Sequence, residues 1–440
     1  ILATIFINYL FHIQLNKTRS KLWVTLAIIA NVINLGFFKY FYFFTKMFYQ
    51  ISGNEYFQEI GTTVKILLPF AISFYTFQLI AFHVDTYRRT QETRIELHRF
   101  TLFVLFFPVL IAGPIMRANE FFPNLEGLTP DKEKMIRGSY LFISGLIKKV
   151  LLADFLAPIV NPVYNNPEVY TGLSLFFVNF VYFMQLYLDF SGLTDMARGA
   201  GLLLGIEIAD NFRAPFFAQS LSDFWTRWHI TLSTWLRDYL FIPMGGSRVG
   251  KLRTYFNQIT TMTIGGFWHG SDYTFILWGF YWGVMMAVEN VFRREFNFQF
   301  EFNNLLIKTF RAMIVFSVCS ISLIMFRANS VNGMNQMING IVGNNLLSFQ
   351  TELKEKEGVW IIETMELVQS EKPFLLEELK NFESIVYIAV MVIVFSYFQN
   401  FPERLEWGKK IYILVLIGVL TVILLTSLAQ GGDSFIYNQF

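Results

Sequence analysis

Runs of about twenty apolar residues, long enough to carry an α-helix across a bilayer, recur along this chain. They occupy 22–45, 63–84, 138–160, 172–195, 309–328, 384–402 and 411–429. A water-soluble domain has no room for so many, because much of any folded surface stays wet. Composition closes that route further: 54% of the 440 residues are hydrophobic and only 15% are charged, against about 25% in a soluble domain. Lipid is the solvent that suits the surplus. The expected fold class is an all-α polytopic membrane protein.

Two more apolar segments are interrupted. TLFVLFFPVLIAGPIM (101–116) is broken by Pro108 and Gly113-Pro114, and 257–290 carries Gly265-Gly266 and then HGSD at 269–272. Irregular backbone at membrane depth is tolerated only where protein buries it or a wet cavity lines it, so these segments are candidates for the working part. Basic clusters at Lys17–Lys21, Arg88–Arg99, Arg117–Lys149, Arg227–Arg253, Arg293-Arg294 and Arg404–Lys410 fall to the cytoplasm by the positive-inside rule. The alternation closes if 101–116 is re-entrant and 257–290 is a hairpin or broken pair returning to the cytoplasmic side. The loop 330–383, with nine Glu against four Lys, is then extracytoplasmic. The whole of 1–440 reads as one membrane domain, and its start at Ile1 inside an apolar run implies a missing N-terminus. The net charge of +2 calls for no nucleic-acid partner. Lone Cys319 reads as packing, and no Cys/His cluster suggests a metal.

Residues 211–248, NFRAPFFAQSLSDFWTRWHITLSTWLRDYLFIPMGGSR, are too polar to span. Ser220 or Ser222 caps a helix start. At 100° per residue, Trp225, Trp228, His229, Leu232, Trp235, Leu236 and Tyr239 share one face, as in a helix lying in the cytoplasmic interface. Asp223, Arg227, Arg237 and Asp238 read equally as ion pairs that hold a fold. In GGFWHGSDYTFILWG (265–279), His269 is an ionisable residue inside an apolar segment, which makes it a functional candidate. Asp189, Ser191 and Asp195 form a polar row in the span 172–195, with Arg198 a helical partner for Asp195. His83 and Asp85 read as interfacial, and His12 and His98 as solvated.

WTRWHITLSTWLRDYLFIPMGG followed by GGFWHG resembles the bacterial alginate O-acetyltransferase branch of the membrane-bound O-acyltransferase (MBOAT) family. PFAISFYTFQLIAFHVDTYR (69–88), FFPVLIAGPIMR (106–117), YLDFSGLTDMARGAGLLLGI (187–206), NFRAPF (211–216), MFRANS (325–330) and FIYNQF (435–440) extend the resemblance over most of the chain. Asn438 departs from it, standing where the branch has an aromatic.

The resemblance implies a ring of transmembrane helices around a central funnel, with re-entrant and interfacial helices. It implies that His269 is the catalytic histidine and His229 a second functional position. It also implies acetyl-CoA as the cytoplasmic acyl donor with no permanently bound cofactor, an extracytoplasmic polysaccharide acceptor such as alginate, a partner acetyltransferase of the SGNH type, and residence in the bacterial inner membrane. A neutral imidazole suits removal of a hydroxyl proton during acyl transfer, and burial between Trp268 and Phe275 would keep it neutral. His229 is free to bind the donor carbonyl, orient His269 or line the thioester path. Arg227, Arg237 and Arg248 would offer charge to coenzyme A phosphates, with Trp228 and Trp268 beside the donor. Two other readings stand: D-alanyl transfer from a carrier protein to teichoic acid, and a transporter without acyl chemistry.

Overall fold

The computed structural model describes residues 1–88, 95–126, 128, 131–170, 172–295, 304–343 and 388–393. Most of the 330–383 loop, most of the expected span 384–402, the whole of 411–429 and the tail 435–440 lie outside the described residues. Among the described residues the regular elements are helices. In chain order they are α1 (Leu2–Thr18), α2 (Lys21–Ser52), α3 (Glu55–Thr63), α4 (Ile72–Arg88), α5 (Leu97–Val104), α6 (Phe107–Leu110), α7 (Ala118–Leu125), α8 (Lys132–Leu146), α9 (Asp154–Asn165), α10 (Gly172–Leu203), α11 (Leu221–Arg227), α12 (Ile230–Leu236), α13 (Lys251–His269), α14 (Tyr273–Glu295), α15 (Leu305–Arg327) and α16 (Val331–Val342). Short polar side chains start several of them: Ser20 accepts from the Leu22 amide, Asp131 from Glu133 and Lys134, and Asn304 from Leu306.

Lys21–Ser52, Gly172–Leu203, Tyr273–Arg293 and Leu305–Arg327 are long and apolar enough to cross a membrane. The protein is an all-α polytopic membrane protein. On α2 the exposed residues Leu22, Leu26, Ile29, Ile33 and Phe37 recur at helical spacing and form an apolar stripe with lipid as its natural cover. α10 is sheathed by protein instead, and Leu175, Val178, Tyr182, Leu186 and Phe190 sit in the largest buried cluster.

Glycines let α8 reach α10: a Cβ on Gly145 would stand 2.3 Å from the Gly192 carbonyl, and one on Gly199 2.6 Å from that of Gly138. This is the small-residue contact of membrane helices, where close backbone approach supplies the packing. Past it the chain widens into a π-helical stretch, Ile147–Ala153. Lys148 there lies 2.6 Å from Asp195, and Lys149 lies 3.1 Å from Asp189 and also pairs with Asp154. The polar row of α10 is thus an ion-pair network, but its nearest cations are these lysines, with Arg198 standing back at 3.8 Å from Asp195.

Several expectations need correction. After Thr63, the last residue of α3, the run 63–84 is helical again only from Ile72, because Pro69 supplies no amide hydrogen and Ala71 takes a left-handed conformation (φ 60°) ahead of α4. His12 is buried on α1 against Phe82, their ring centroids 5.0 Å apart. His83 is fully buried and its Nε2 lies 2.8 Å from Asn8 Oδ1. Asp85 is buried where the Tyr239 hydroxyl donates to it over 2.7 Å. Their neighbours come from distant helices, which local sequence context does not report.

Candidate active site

The segment 220–242 is not one helix. Ser220 caps α11 by accepting from the Asp223 amide, but the helix stops at Arg227, and His229 adopts a left-handed conformation (φ 43°, ψ 52°) before α12 begins. Residues 211–213 force the break. Phe212 and Trp228 form an isolated antiparallel bridge. The Arg213 amide donates to the Arg227 carbonyl (2.9 Å) and the Ile230 amide to the Asn211 carbonyl (3.1 Å). Asn211 Oδ1 accepts from the Thr231 amide at 3.1 Å and its hydroxyl at 2.6 Å. That hydroxyl oxygen accepts from the Ile115 amide (3.0 Å), fastening the interrupted segment 111–117 onto the same point. A non-glycine residue held at positive φ costs about 1–3 kcal/mol and persists only where its surroundings over-determine it. The residue so held is the histidine.

The tryptophan face does not lie on a membrane surface. Trp225, Trp228 and Trp235 are buried in protein. Trp235 stacks on Phe77 at 3.8 Å and donates from Nε1 to the Phe77 carbonyl (3.0 Å). Phe224 stacks on Trp282 at 5.5 Å, and Trp225 meets Trp282 edge-on at 5.1 Å.

The second histidine comes from the expected hairpin, α13 and α14 joined by Gly270–Asp272. The arms touch through glycines, a Cβ on Gly279 standing 2.3 Å from the Met262 carbonyl. His269 is the last residue of α13. Its ring meets Trp278 and Phe326 edge-on, each at 5.2 Å, and Trp268 at 5.0 Å. Phe275 packs over Gly270, the next residue, where a Cβ would meet its ring at 2.0 Å, and meets Phe326 edge-on at 5.4 Å.

The two imidazoles stand side by side, ring centroids 6.4 Å apart and planes inclined at 64°. Both line a narrow cavity of about 20 Å³, room for about one water, walled by Phe183, Phe190, Trp225, Trp228, Trp278 and Phe326 among others. Both His229 ring nitrogens are buried without a hydrogen-bond partner among the described residues. His269 also lines a second cavity of about 210 Å³ with Lys39, Ser73, Phe74 and Trp268. A third, of about 310 Å³, is lined by Ser222, Trp225, Ser233, Arg237, Thr254 and Asn290 among others. The three lie in series: Trp225 is common to the third and the first, and His269 to the first and the second.

Of the residues singled out by sequence, His229, His269 and Trp228 share the inner chamber, and Trp268 lines the second cavity. Arg237 stands at the third, its Nε donating to Asp238 over 2.7 Å. Arg227 lines none of the three; its Nε donates to Asp223 (2.8 Å). Arg117 also reaches Asp238 at 2.7 Å. Burial pushes the Asp238 carboxyl up, but the hydrogen bonds from Arg237 and Arg117 outweigh it and hold it below the usual carboxylate range. Sequence reading passes over Trp278, Phe326 and Lys39. Nothing local separates the two aromatics from other apolar residues, whereas a lysine inside the run 22–45 is an ionisable group in a membrane segment, the criterion that singles out His269.

The sequence profile described as "MBOAT, membrane-bound O-acyltransferase family" matches residues 14–328. A peptidoglycan O-acetyltransferase of Helicobacter pylori is 34% identical over 382 residues, covering 79% of this chain and 70% of the relative. A probable alginate O-acetylase AlgI of Azotobacter vinelandii is 41% identical over 278 residues, covering 63% of this chain and 55% of the relative, so the match spans little more than half of that protein. A teichoic acid D-alanyltransferase of Bacillus subtilis is 30% identical over 282 residues, covering 61% and 68%.

Proposed function

The chain belongs to the membrane-bound O-acyltransferase family, and from that premise we propose that it moves an acetyl group from cytoplasmic acetyl-CoA toward hydroxyls of an extracytoplasmic polysaccharide such as alginate. The observation that carries the reading is the pair of neighbouring imidazoles, 6.4 Å apart, with His269 lining two cavities. Acyl transfer from a thioester needs a hydroxyl oxygen that loses its proton as it attacks. In this reading neutral His269 takes that proton while the acceptor oxygen bonds to the acetyl carbonyl carbon. The carbon–sulfur bond then breaks, and the thiolate leaves and is protonated. His229, with both ring nitrogens uncommitted among the described residues, is the donor for the carbonyl oxygen as negative charge develops on it.

The 310 Å³ cavity at Arg237 is the proposed donor side, because the basic clusters face the cytoplasm under the positive-inside rule. The cavity shared by Lys39 and His269 is the proposed acceptor side, where an SGNH-type acetyltransferase would collect the group. The setting proposed is the bacterial inner membrane, with the helices forming a wall around the central funnel. Among the described residues, those lining the chamber include no carboxylate that would receive the ammonium of a D-alanyl group, which favours acetyl.

The test is labelled acetyl-CoA added to purified protein in nanodiscs with the SGNH-type partner and a soluble polysaccharide acceptor, beside a second arm charged with D-alanyl carrier protein. Acetyl transfer should fall about 10²–10⁴-fold in His269→Ala. Full transfer by properly inserted His269→Ala protein would remove the assignment, and activity only in the second arm would replace acetyl by D-alanyl.

A further inference from the structure

Lys39 lies in the middle of α2, among Phe37, Phe38, Phe41 and Phe43. Its Nζ donates to the carbonyl of Trp268 (2.6 Å), the carbonyl of His269 (3.1 Å) and the hydroxyl of Ser73 (3.1 Å). The next residue continues the pattern, the Tyr40 hydroxyl donating to the Phe267 carbonyl over 2.8 Å.

A helix leaves its last four carbonyls without partners inside the helix. The usual local remedy, a left-handed residue after the helix, is absent from α13: Gly270 is extended, with φ −157°. Three of the terminal carbonyls, of residues 267, 268 and 269, are instead taken by two consecutive side chains of another helix. A cation at this end also complements the negative pole of the helix. Ser73, at the start of α4, receives the Trp268 indole N–H on its carbonyl at 3.3 Å, so α2, α4 and α13 are tied together beside the histidine.

An ammonium has three donors and no acceptor. All three are committed here, so Lys39 has none left for a substrate, although it lines the 210 Å³ cavity. We infer that Lys39, with Tyr40, is a positioning residue for His269: it closes α13 from outside the helix and holds the imidazole at the wall between two cavities. The inference rests on the catalytic reading of His269. It reaches beyond that reading by assigning α2, which carries none of the reacting groups, the task of fixing where the base stands.

The experiment uses the full chain in nanodiscs, as wild type, Lys39→Met, Lys39→Arg and Tyr40→Phe, with two readouts. One is kcat and donor KM with labelled acetyl-CoA. The other is amide hydrogen exchange of the 265–275 region by mass spectrometry, which needs no activity. Lys39→Met should lower kcat about 10–100-fold, the scale of an ångström's misplacement, with donor KM unchanged and faster exchange in that region. Lys39→Arg should recover part of kcat, since it restores the cation but not three convergent bonds, and Tyr40→Phe should show a smaller loss of the same kind. Native kcat and native exchange in Lys39→Met would overturn the inference. So would a change confined to donor KM, which would make Lys39 a ligand-binding group. Faster exchange in a preparation whose wild type transfers no acetyl group would leave the clamp standing and refute the proposed activity. If Lys39→Met does not fold, Tyr40→Phe decides by the same two readouts.

Discussion

Gly266→Ala tests how closely the hairpin controls the histidine it carries. A Cβ built on Gly266 stands 2.3 Å from the Phe275 carbonyl oxygen, 2.7 Å from Gly279 Cα and 2.8 Å from its nitrogen. A carbon meets a carbonyl oxygen comfortably at about 3.3 Å, so the two helices must part by about 1 Å. All three obstacles are backbone, and no side chain can swing aside to absorb the change. Overpacking of this kind costs about 1–3 kcal/mol of stability. His269 lies three residues further on the same helix, one turn from the wedge, and moves with it. A displacement of about 1 Å costs about 10²-fold in rate, or about 2.7 kcal/mol of barrier. The control is Gly36→Ala on α2, whose added Cβ meets nothing within 4 Å; it should keep the wild-type rate and gain about 0.5–1 kcal/mol from lower chain entropy. The assay is acetyl transfer in nanodiscs beside thermal unfolding in detergent. Wild-type kcat in Gly266→Ala, or an equal loss in Gly36→Ala, would show that hairpin spacing does not set the rate.

Two further outcomes follow from the charged groups. Lys148→Met leaves Asp195 buried without its 2.6 Å partner, which should cost about 3 kcal/mol, the low end for a broken buried pair because Arg198 remains nearby. Lys148→Met/Asp195→Leu should regain most of the loss in denaturant titration, and a double variant no more stable than the single would refute this account. Asp238 has its pKa lowered in the folded protein, so its contribution is present above the unfolded value near about 4 and is lost as pH falls through the folded value. Asp238→Asn should therefore lower the thermal midpoint at pH 7, with the gap from wild type closing below about pH 4; a gap independent of pH would assign the loss to packing.

Much of the architecture was legible because lipid imposes length and polarity on any segment that crosses it. The runs at 22–45, 172–195 and 309–328 coincide with α2, α10 and α15, and the glycine-bearing segment 257–290 is the hairpin expected of it. The 220–242 region misled for a reason of the same kind. Its residues do fit one helical face, but helical periodicity is a property of neighbours in sequence. The bridge between Phe212 and Trp228 and the hydrogen bonds of Asn211 compete with it from outside the window. His12 and His83 were misread likewise, since their burial depends on partners such as Phe82 and Asn8 that are tens of residues away.

The sequence by itself determined that this chain lives in lipid as helices, and it marked the irregular segments and the imidazoles of His269 and His229 as candidates for the working part. The lipid setting, the irregular segments and His269 follow from rules that act residue by residue, the cost of bare backbone in hydrocarbon and the rarity of ionisable groups there, whereas His229 came with the family resemblance. Only the tertiary structure decided that the two rings stand side by side in one chamber, that His269 lines two cavities, and that a lysine 230 residues away closes its helix. Such relations depend on which helices touch. Close contact through Gly266 and Gly279, and the pairing of α2 side chains with the open end of α13, exist only once the fold has brought those surfaces together.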